Sequence, residues 1–239
     1  MKMQCPRLAR FPKLKHAFFE EDRAPLETRS PRILKDVMGG EGPLIVLDQV
    51  HGNHVFSLES PEEASLFALS PRSKRRKGDG LVTNVPGLVI GVETADCGPV
   101  LFYDPQTHVA GICHAGWKGA RAGILQETLN AMENLGACRA DIQTTLGPTI
   151  QHQDYEVGPE FPDLIDGQYD SYFYPSQKEG HHHFNLPQYI QDILEQEGIE
   201  NFYNLAQNTF DSRFASRRRT LGAAKEGEYF SGLSCIVLV

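Results

Sequence analysis

Short apolar segments rich in β-branched residues dominate the first half of the chain and predict strands. Between residues 44 and 115 the predicted strands are 44–50, 54–58, 81–83, 88–94, 99–103 and 109–114. Gly52-Asn53 predicts a tight turn between the first two strands, and residues 104–107 predict another between the last two. Both turns indicate hairpins, and therefore antiparallel pairing rather than a Rossmann-type alternation of strands and helices.

The second half alternates helical and strand patterns. An apolar stripe through Leu125, Leu129 and Met132 predicts a helix over 119–135, which Gly136 ends. A strand is predicted over 142–146. A second helix is expected to begin with Asn185 as N-cap and to run to residue 197, and a last strand covers 235–239. No repeat or linker interrupts the pattern, so the prediction is one α+β domain over 1–239 with mostly antiparallel or mixed sheets.

Composition narrows the function classes. The 239 residues are 40% hydrophobic and 23% charged, which is typical of a globular protein and argues against a collagen, a coiled coil or a disordered chain. A net charge of −8 disfavours nucleic acid as partner, and the longest aliphatic runs are too short to cross a bilayer. Five irregularly spaced cysteines without a secretory signal predict free thiols in the cytoplasm.

Two local charge and histidine runs are expected to be loops. The basic run 72–77 is interpreted as a solvated loop. The three histidines 181–183 are interpreted as a polar loop rather than a metal site, because adjacent side chains cannot all point one way on a strand or helix.

Three short stretches put metal-capable side chains at predicted strand ends: residues 48–52 (DQVHG), 94–99 (TADCGP) and 113–119 (CHAGWKG). His51, Cys97 and His114 would together form a His₂Cys site, which suits zinc and leaves one coordination position open for catalysis. No C-x-x-C pair supplies the further ligand that a structural site would use. Separations of 46 and 17 residues match no local zinc pattern, so buried core histidines and an inert cysteine stay open as an alternative.

The same stretches carry a resemblance to a known family. They resemble, in their order along the chain, motifs of the YfiH or laccase-domain family, whose older label is multicopper polyphenol oxidase. Four further stretches contribute to the resemblance: residues 78–83 (GDGLVT), 147–150 (GPTI), 155–157 (YEV) and 214–218 (FASRR). The resemblance implies that His51, Cys97 and His114 bind the metal. It also implies an α+β sandwich with helices outside two sheets, and purine nucleoside chemistry: phosphorolysis of adenosine, inosine and methylthioadenosine, with adenosine deaminase activity as well.

Further residues are candidates for this chemistry. Asp96 is the candidate proton shuttle for deamination, with a structural hydrogen bond at the strand end as the alternative. Lys118, Arg121 and the amides of residues 116–119 are the candidate phosphate cradle, with a solvated first helical turn as the alternative. Arg217 and Arg218 are expected to complete the cradle. Gln49 is a further candidate for binding substrate.

Three departures from the family pattern separate this chain from typical members. The segment before residue 48 is shorter than usual and lacks an Asn-Arg pair, for which Arg32 is a candidate replacement. The usual Thr-Gly-Arg near the C-terminus is absent, with Gly227-Glu228-Tyr229 in its neighbourhood.

The expected cofactor is Zn²⁺, with Cu²⁺ as the alternative, and the expected partners are a purine nucleoside and phosphate, without nucleic acid or membrane. Three other functions compete. A copper-dependent polyphenol oxidase would need further clustered histidines for oxygen reduction. A metal-free cysteine hydrolase would use Cys97 as nucleophile with His114 or His51 as base. A non-catalytic metal-binding domain would keep only the ligands.

Overall fold

The computed structural model describes residues 2–40, 42–67, 71–165, 169–210, 212–222 and 230–239. In these ranges the strands are β1 (Lys2–Met3), β2 (Leu14–Phe19), β3 (Leu44–Val46), β4 (Val55–Leu58), β5 (Gly80–Thr83), β6 (Val89–Thr94), β7 (Gly98–Asp104), β8 (Val109–Ala115), β9 (Gln143–Leu146), β10 (Glu156–Val157), β11 (Phe173–Pro175), β12 (His182–Phe184), β13 (Asn201–Asn204) and β14 (Gly232–Leu238). They form a five-stranded sheet in the order β1-β2-β14-β6-β3, a six-stranded sheet in the order β13-β9-β7-β8-β5-β4, and a three-stranded sheet in the order β10-β12-β11.

The α-helices of the described ranges are α1 (Leu26–Met38), α2 (Pro61–Ser65), α3 (Trp117–Arg121), α4 (Ile124–Asn134), α5 (Tyr169–Tyr172), α6 (Leu186–Gln196) and α7 (Arg217–Leu221). The predicted N-cap of α6 is confirmed, since the side chain of Asn185 accepts a hydrogen bond from the Gln188 amide at 3.2 Å. Within the same ranges no helix has both the length and the apolar character that crossing a bilayer requires.

The two larger sheets stack face to face, with helices on the outside, which confirms the α+β sandwich. The alternation of β7 shows how the strands serve two cores: Leu101 and Tyr103 point between the sheets, and Val100 and Phe102 point toward α4 and α6. On the five-stranded sheet, Cys235 and Val237 of β14 pack toward α1, while Ile236 faces the other sheet. The order of layers is therefore helix, sheet, sheet, helix.

One of the two predicted hairpins is confirmed and one is wrong. β7 and β8 pair antiparallel across residues 104–109, as predicted. β3 and β4 do not pair at all, because β3 runs parallel to β6 in one sheet and β4 runs parallel to β5 in the other. Residues 47–54 therefore cross between the sheets. The reason is that the amides of Val50, His51 and Gly52 bond to a buried carboxylate, that of Asp79, instead of closing a two-residue turn.

The helix predicted over 119–135 is two helices. Gly123 adopts the left-handed conformation, with φ of 93°, so the chain breaks between α3 and α4. The sequence patterns did not indicate β2 or α1. The histidine run 181–183 is not simply a loop either, since His182 and His183 lie in β12.

Candidate metal centre and its cavity

The three candidate ligands meet where the chain passes between the two large sheets. His51 lies on the crossing from β3 to β4, and Cys97 lies on the bend from β6 to β7, which also changes sheet. His114 lies near the end of β8, beside β7. One ligand atom of each residue lies within 4.8 Å of the others. In the part of the chain that the structure describes, this is the one such group of three or more His, Cys, Asp or Glu side chains.

Asp79 positions two of the three candidate ligands through hydrogen bonds, and the sequence patterns did not single it out. Its buried carboxylate accepts the amide hydrogens of Val50, His51 and Gly52 at 3.1, 2.9 and 2.8 Å, and it bonds to Nδ1 of His114 at 2.8 Å. The three amide bonds hold His51 in the left-handed region, with φ of 61°, which a non-glycine residue rarely adopts. Because Nδ1 of His114 is occupied, Nε2 is left as the atom for a metal. The sequence did hold one signal for Asp79, since this acidic residue lies between two glycines directly before an apolar strand.

The charges around the three candidate ligands favour the thiolate form of Cys97. Burial by itself would raise the pKa of Cys97, but the imidazoles of His114 and His51 outweigh it and lower that pKa to about 6. Burial would likewise lower the pKa of His114, but the Cys97 sulfur and the Asp79 carboxylate raise it to about 9. The pair is thus a thiolate beside an imidazolium at neutral pH, and the thiolate is the form that binds metals.

Gly116 leaves room for the sulfur. A Cβ atom at this position would lie 2.7 Å from Sγ of Cys97 and 3.4 Å from Cδ2 of His51. The backbone of Gly116 is extended, with φ of −77°, so its glycine identity is required by this close approach and not by its conformation.

The donor set fits a zinc ion. Zinc binds imidazole nitrogen and thiolate sulfur at about 2.0–2.3 Å, which puts tetrahedral ligand atoms roughly 3.5 Å apart. The three donors here lie within 4.8 Å of one another before any ion draws them together. All three residues line a cavity of about 480 Å³, a size typical of small-molecule sites, so a fourth position would face the cavity.

The cavity wall is polar and charged beyond the centre. Its other lining residues are Leu47, Gln49, Arg72, Glu93, Ala95, Arg217, Phe230 and Ser231. The expectation that the run 72–77 is a solvated loop is wrong for Arg75. The side chain of Arg75 is only 4% exposed and pairs with Glu93 and Glu27. Arg72, at the same run, is exposed to the cavity and bonds to Asp48 at 2.9 Å.

Two of the predicted substrate-binding residues line the cavity, Gln49 and Arg217. The amide of Gln49 is engaged with backbone: its Nε2 donates to the Glu93 carbonyl at 2.7 Å and its Oε1 accepts the Glu93 amide at 2.8 Å. Through these two hydrogen bonds Gln49 attaches the loop that contains His51 to strand β6, and β6 leads to Cys97.

The other predicted residues lie away from the cavity lining. The Asp96 carboxylate accepts hydrogen bonds from Thr209 Oγ1 and from the Arg218 amide, both at 2.7 Å, so it makes the structural hydrogen bonds that were its alternative role. The Arg218 guanidinium stacks on the ring of Tyr155, 5.3 Å from its centroid. Lys118 and Arg121 are exposed on α3, and the expected phosphate cradle there does not face the cavity.

The proposed replacement for the missing family arginine is also elsewhere. Arg32 pairs with Asp22 beside a separate cavity that contains none of the three ligands. The departure at Gly227-Glu228-Tyr229 lies outside the described residues.

The chain is similar to a known protein family and to several known proteins. A family model described as multi-copper polyphenol oxidoreductase laccase matches residues 11–235. A purine nucleoside phosphorylase of Deinococcus radiodurans is 33% identical over 179 residues, which cover 74% of this chain and 64% of that protein. A purine nucleoside phosphorylase of Rickettsia conorii is 29% identical over 182 residues, 74% of this chain and 71% of that protein.

Two further similarities extend the comparison. An adenosine deaminase, RL5, from an unknown prokaryotic organism is 42% identical over 82 residues, 34% of this chain and 31% of that protein. The crystal structure of the hypothetical protein YfiH from Bacillus licheniformis superposes with a TM-score of 0.80 at 26% identity and covers 96% of this chain and 94% of its own.

Proposed function

This chain belongs to the laccase-like family of YfiH proteins, and on that premise we propose that it is a zinc-dependent purine nucleoside phosphorylase acting on adenosine, inosine and methylthioadenosine. The observation that carries the proposal is the group of His51, Cys97 and His114 on the wall of a cavity of about 480 Å³. Two curated relatives bear the name purine nucleoside phosphorylase, and both align with 74% of the chain.

The chain's own residues would divide the work as follows. Arg72 and Arg217 both line the cavity and would hold phosphate, since guanidinium groups bind phosphate oxygens in a bidentate manner. Asp96, through the Arg218 amide, fixes the start of α7 and therefore the position of Arg217. Asp79 orients His114, and Gln49 holds the His51 loop. When bound, zinc would supply Lewis-acid chemistry at its open fourth position.

The proposed reaction is a substitution at the sugar. An oxygen of phosphate forms a bond to the anomeric carbon while the bond from that carbon to the purine nitrogen breaks. The electron pair leaves with the base, which ends with the proton that hydrogen phosphate gives up, passed on through water. The products are the free purine and a sugar 1-phosphate, which is ribose 1-phosphate for adenosine and inosine and 5-methylthioribose 1-phosphate for methylthioadenosine.

Adenosine deamination is a second candidate, supported by the likeness to the deaminase RL5. In that reaction water replaces phosphate, attacks the carbon that carries the amino group, and releases ammonia. It needs the same open position but no anion site. The dependence of turnover on phosphate therefore separates the two activities.

Copper oxidation is the less favoured alternative. Oxygen reduction by several coppers needs further clustered histidines. Among the described residues no second group of three potential ligands accompanies the centre, and His182 and His183 belong to β12.

The test is the metal content of untagged protein by mass spectrometry, followed by adenosine turnover with and without phosphate. About one zinc per chain, with adenine formed only in the presence of phosphate, is the expected result. Inosine in both conditions would indicate deamination. Zinc without turnover would contradict the proposal and favour a metal-binding domain.

Variants and alkylation sharpen this test. Cys97→Ala and His114→Ala are expected to abolish both metal binding and turnover, and turnover by metal-free Cys97→Ala protein would contradict the zinc mechanism. Iodoacetamide should label Cys97 only after zinc is chelated, whereas fast labelling of protein as purified would favour the cysteine hydrolase. Arg217→Ala should raise the KM for phosphate more than Lys118→Ala does, because Lys118 lies outside the cavity lining.

A further inference from the structure

Glu93 is the one carboxylate among the described residues that line the catalytic cavity. It lies on β6, two residues before Ala95 and four before Cys97, and all three residues contribute to the same wall. Its side chain is 19% exposed. A negative group with access to the cavity is unexpected in a site that is proposed to bind phosphate.

Two buried arginines fix this carboxylate. Oε1 of Glu93 accepts Nη2 of Arg29 and Oγ of Ser231, both at 3.0 Å, and Oε2 accepts Nη1 of Arg75 at 2.9 Å. The side chains of Arg29 and Arg75 are each only 4% exposed. The carboxylate is therefore held in one orientation by groups that solvent scarcely reaches.

A contribution to the free energy of unfolding is a weak explanation for this arrangement. Removing charged groups from water costs several kcal/mol for each ion, and replacing a buried ion pair by apolar residues is often neutral or stabilising. The cavity position of Glu93 supplies another explanation, because a fixed charge is ready to meet a ligand without further ordering. An ionised carboxylate offers about four acceptor positions, of which the three bonds above use three.

We propose that Glu93 is a specificity-determining residue, whose carboxylate accepts a hydrogen bond from a donor group of the bound nucleoside. The proposed substrates share such donors in two places, the 2′- and 3′-hydroxyls of the ribose and the amino or N–H group of the purine. The inference rests on the proposed function for the class of ligand. Arg29 and Arg75 are positioning residues, which act only through the carboxylate.

The wild-type protein provides the first test, by calorimetric measurement of nucleoside binding in the absence of phosphate. The ligands are adenosine, 2′-deoxyadenosine and 3′-deoxyadenosine, which each lack one hydroxyl, and purine riboside, which lacks the amino group. At least one of these analogues should bind about 10- to 100-fold more weakly than adenosine, as expected for a hydrogen bond to a charged group. The hydroxyl analogues identify the sugar as the donor, and purine riboside identifies the base. Equal affinity for all four ligands would overturn the proposal.

Glu93→Gln then links the discrimination to this residue, and its zinc content and thermal unfolding are measured alongside. The variant should bind adenosine about 10-fold or more weakly and bind the discriminating analogue as the wild type does. Glu27→Gln is the matched control, because Glu27 pairs with Arg75 from outside the cavity lining. If Glu27→Gln weakens adenosine binding as much as Glu93→Gln does, the effect comes from the ion network and the proposal is wrong.

The outcomes also separate this inference from the proposed function. Protein that binds adenosine with discrimination but does not turn it over fails as a phosphorylase and still supports the role of Glu93. Protein that turns adenosine over without discriminating among the analogues supports the phosphorylase and overturns the role of Glu93. Protein that binds no nucleoside overturns both.

Discussion

Replacing Asp79 by asparagine should separate the two functions of this carboxylate, which are to bond backbone amides and to orient His114. Asparagine has nearly the same shape, but one of its two terminal atoms is a donor. If the donor replaces Oδ2, it faces the amides of Val50 and Gly52, which Oδ2 now accepts at 3.1 and 2.8 Å. If it replaces Oδ1, it faces the His51 amide and Nδ1 of His114.

The two arrangements predict losses of different kinds, one in the free energy of unfolding and one in zinc affinity. In the first, the partly exposed amides of Val50 and Gly52 lose their acceptor, at the lower end of about 1–3 kcal/mol each, so the free energy of unfolding should fall by about 2 kcal/mol. In the second, the His51 amide loses its acceptor, and Nδ1 of His114 becomes an acceptor itself. In the neutral imidazole, the form that binds metal, the single proton then lies on Nε2, the atom left for the metal, and zinc affinity should fall about 10- to 100-fold, as is typical when such a partner is lost.

The assay is a zinc titration of metal-free protein against a competing chelator, combined with urea unfolding of the same samples. Asp104→Asn is the matched control. Asp104 is equally buried and accepts the amides of Gln106, Thr107 and Cys138, but it bonds to no histidine. The control should lose stability and keep its zinc affinity. Wild-type zinc affinity in Asp79→Asn, or an equal loss of affinity in both variants, would refute the orienting role of Asp79.

Three further predictions follow from single contacts. Gly116→Ala should prevent zinc binding, because the added Cβ would lie 2.7 Å from the Cys97 sulfur, and it should have little effect on urea unfolding of the metal-free protein. Gly40→Ala is the control and should bind zinc normally, because no atom lies within 4 Å of the Cβ that it adds. Stability should decline by about 3 kcal/mol as the pH falls from 6.5 to 4, since burial lowers the pKa of His16 from 6.5 to about 4 and the unfolded chain takes the proton first. This contribution is complete above pH 6.5, and His16→Gln should flatten the dependence in urea unfolding; an unchanged slope would contradict it. Removing zinc with a chelator should make Cys97 reactive toward iodoacetamide at pH 7, because its pKa is lowered to about 6.

The sequence predicted local structure well where one pattern determined it. Asn185 caps α6 through its own side chain, and the strands of the β7–β8 hairpin follow their apolar alternation. It failed at residues 47–54, where a turn signal was outweighed by Asp79, a carboxylate nearly thirty positions away along the chain. It also missed β2 and α1. Propensity reports local preferences, whereas these outcomes depend on which distant group satisfies the backbone.

The candidate site shows the same division. The resemblance picked out His51, Cys97 and His114, and the structure brings these three together. Spacing gave no indication that Glu93 lies on the cavity wall and pairs with Arg29 of α1 and Arg75 of the run 72–77, because these residues come from separate parts of the sequence. Lys118 follows the ligand motif directly, but its side chain is exposed on α3 and lies outside the lining of the cavity that holds the three ligands.

Two of the three candidate ligands lie on segments that cross between the two large sheets, so metal binding there would affect how firmly the sheets are held together. His51 and Cys97 each belong to a segment that leaves the five-stranded sheet, while His114 lies within the six-stranded one. An ion held by all three would connect the two sheets of the sandwich, and any sliding of one sheet over the other would then stretch its coordination. Binding to the folded state alone adds about 4 kcal/mol to stability when the free ion is at a thousand times its Kd. Metal supply would thereby set the fraction of the chain that is folded.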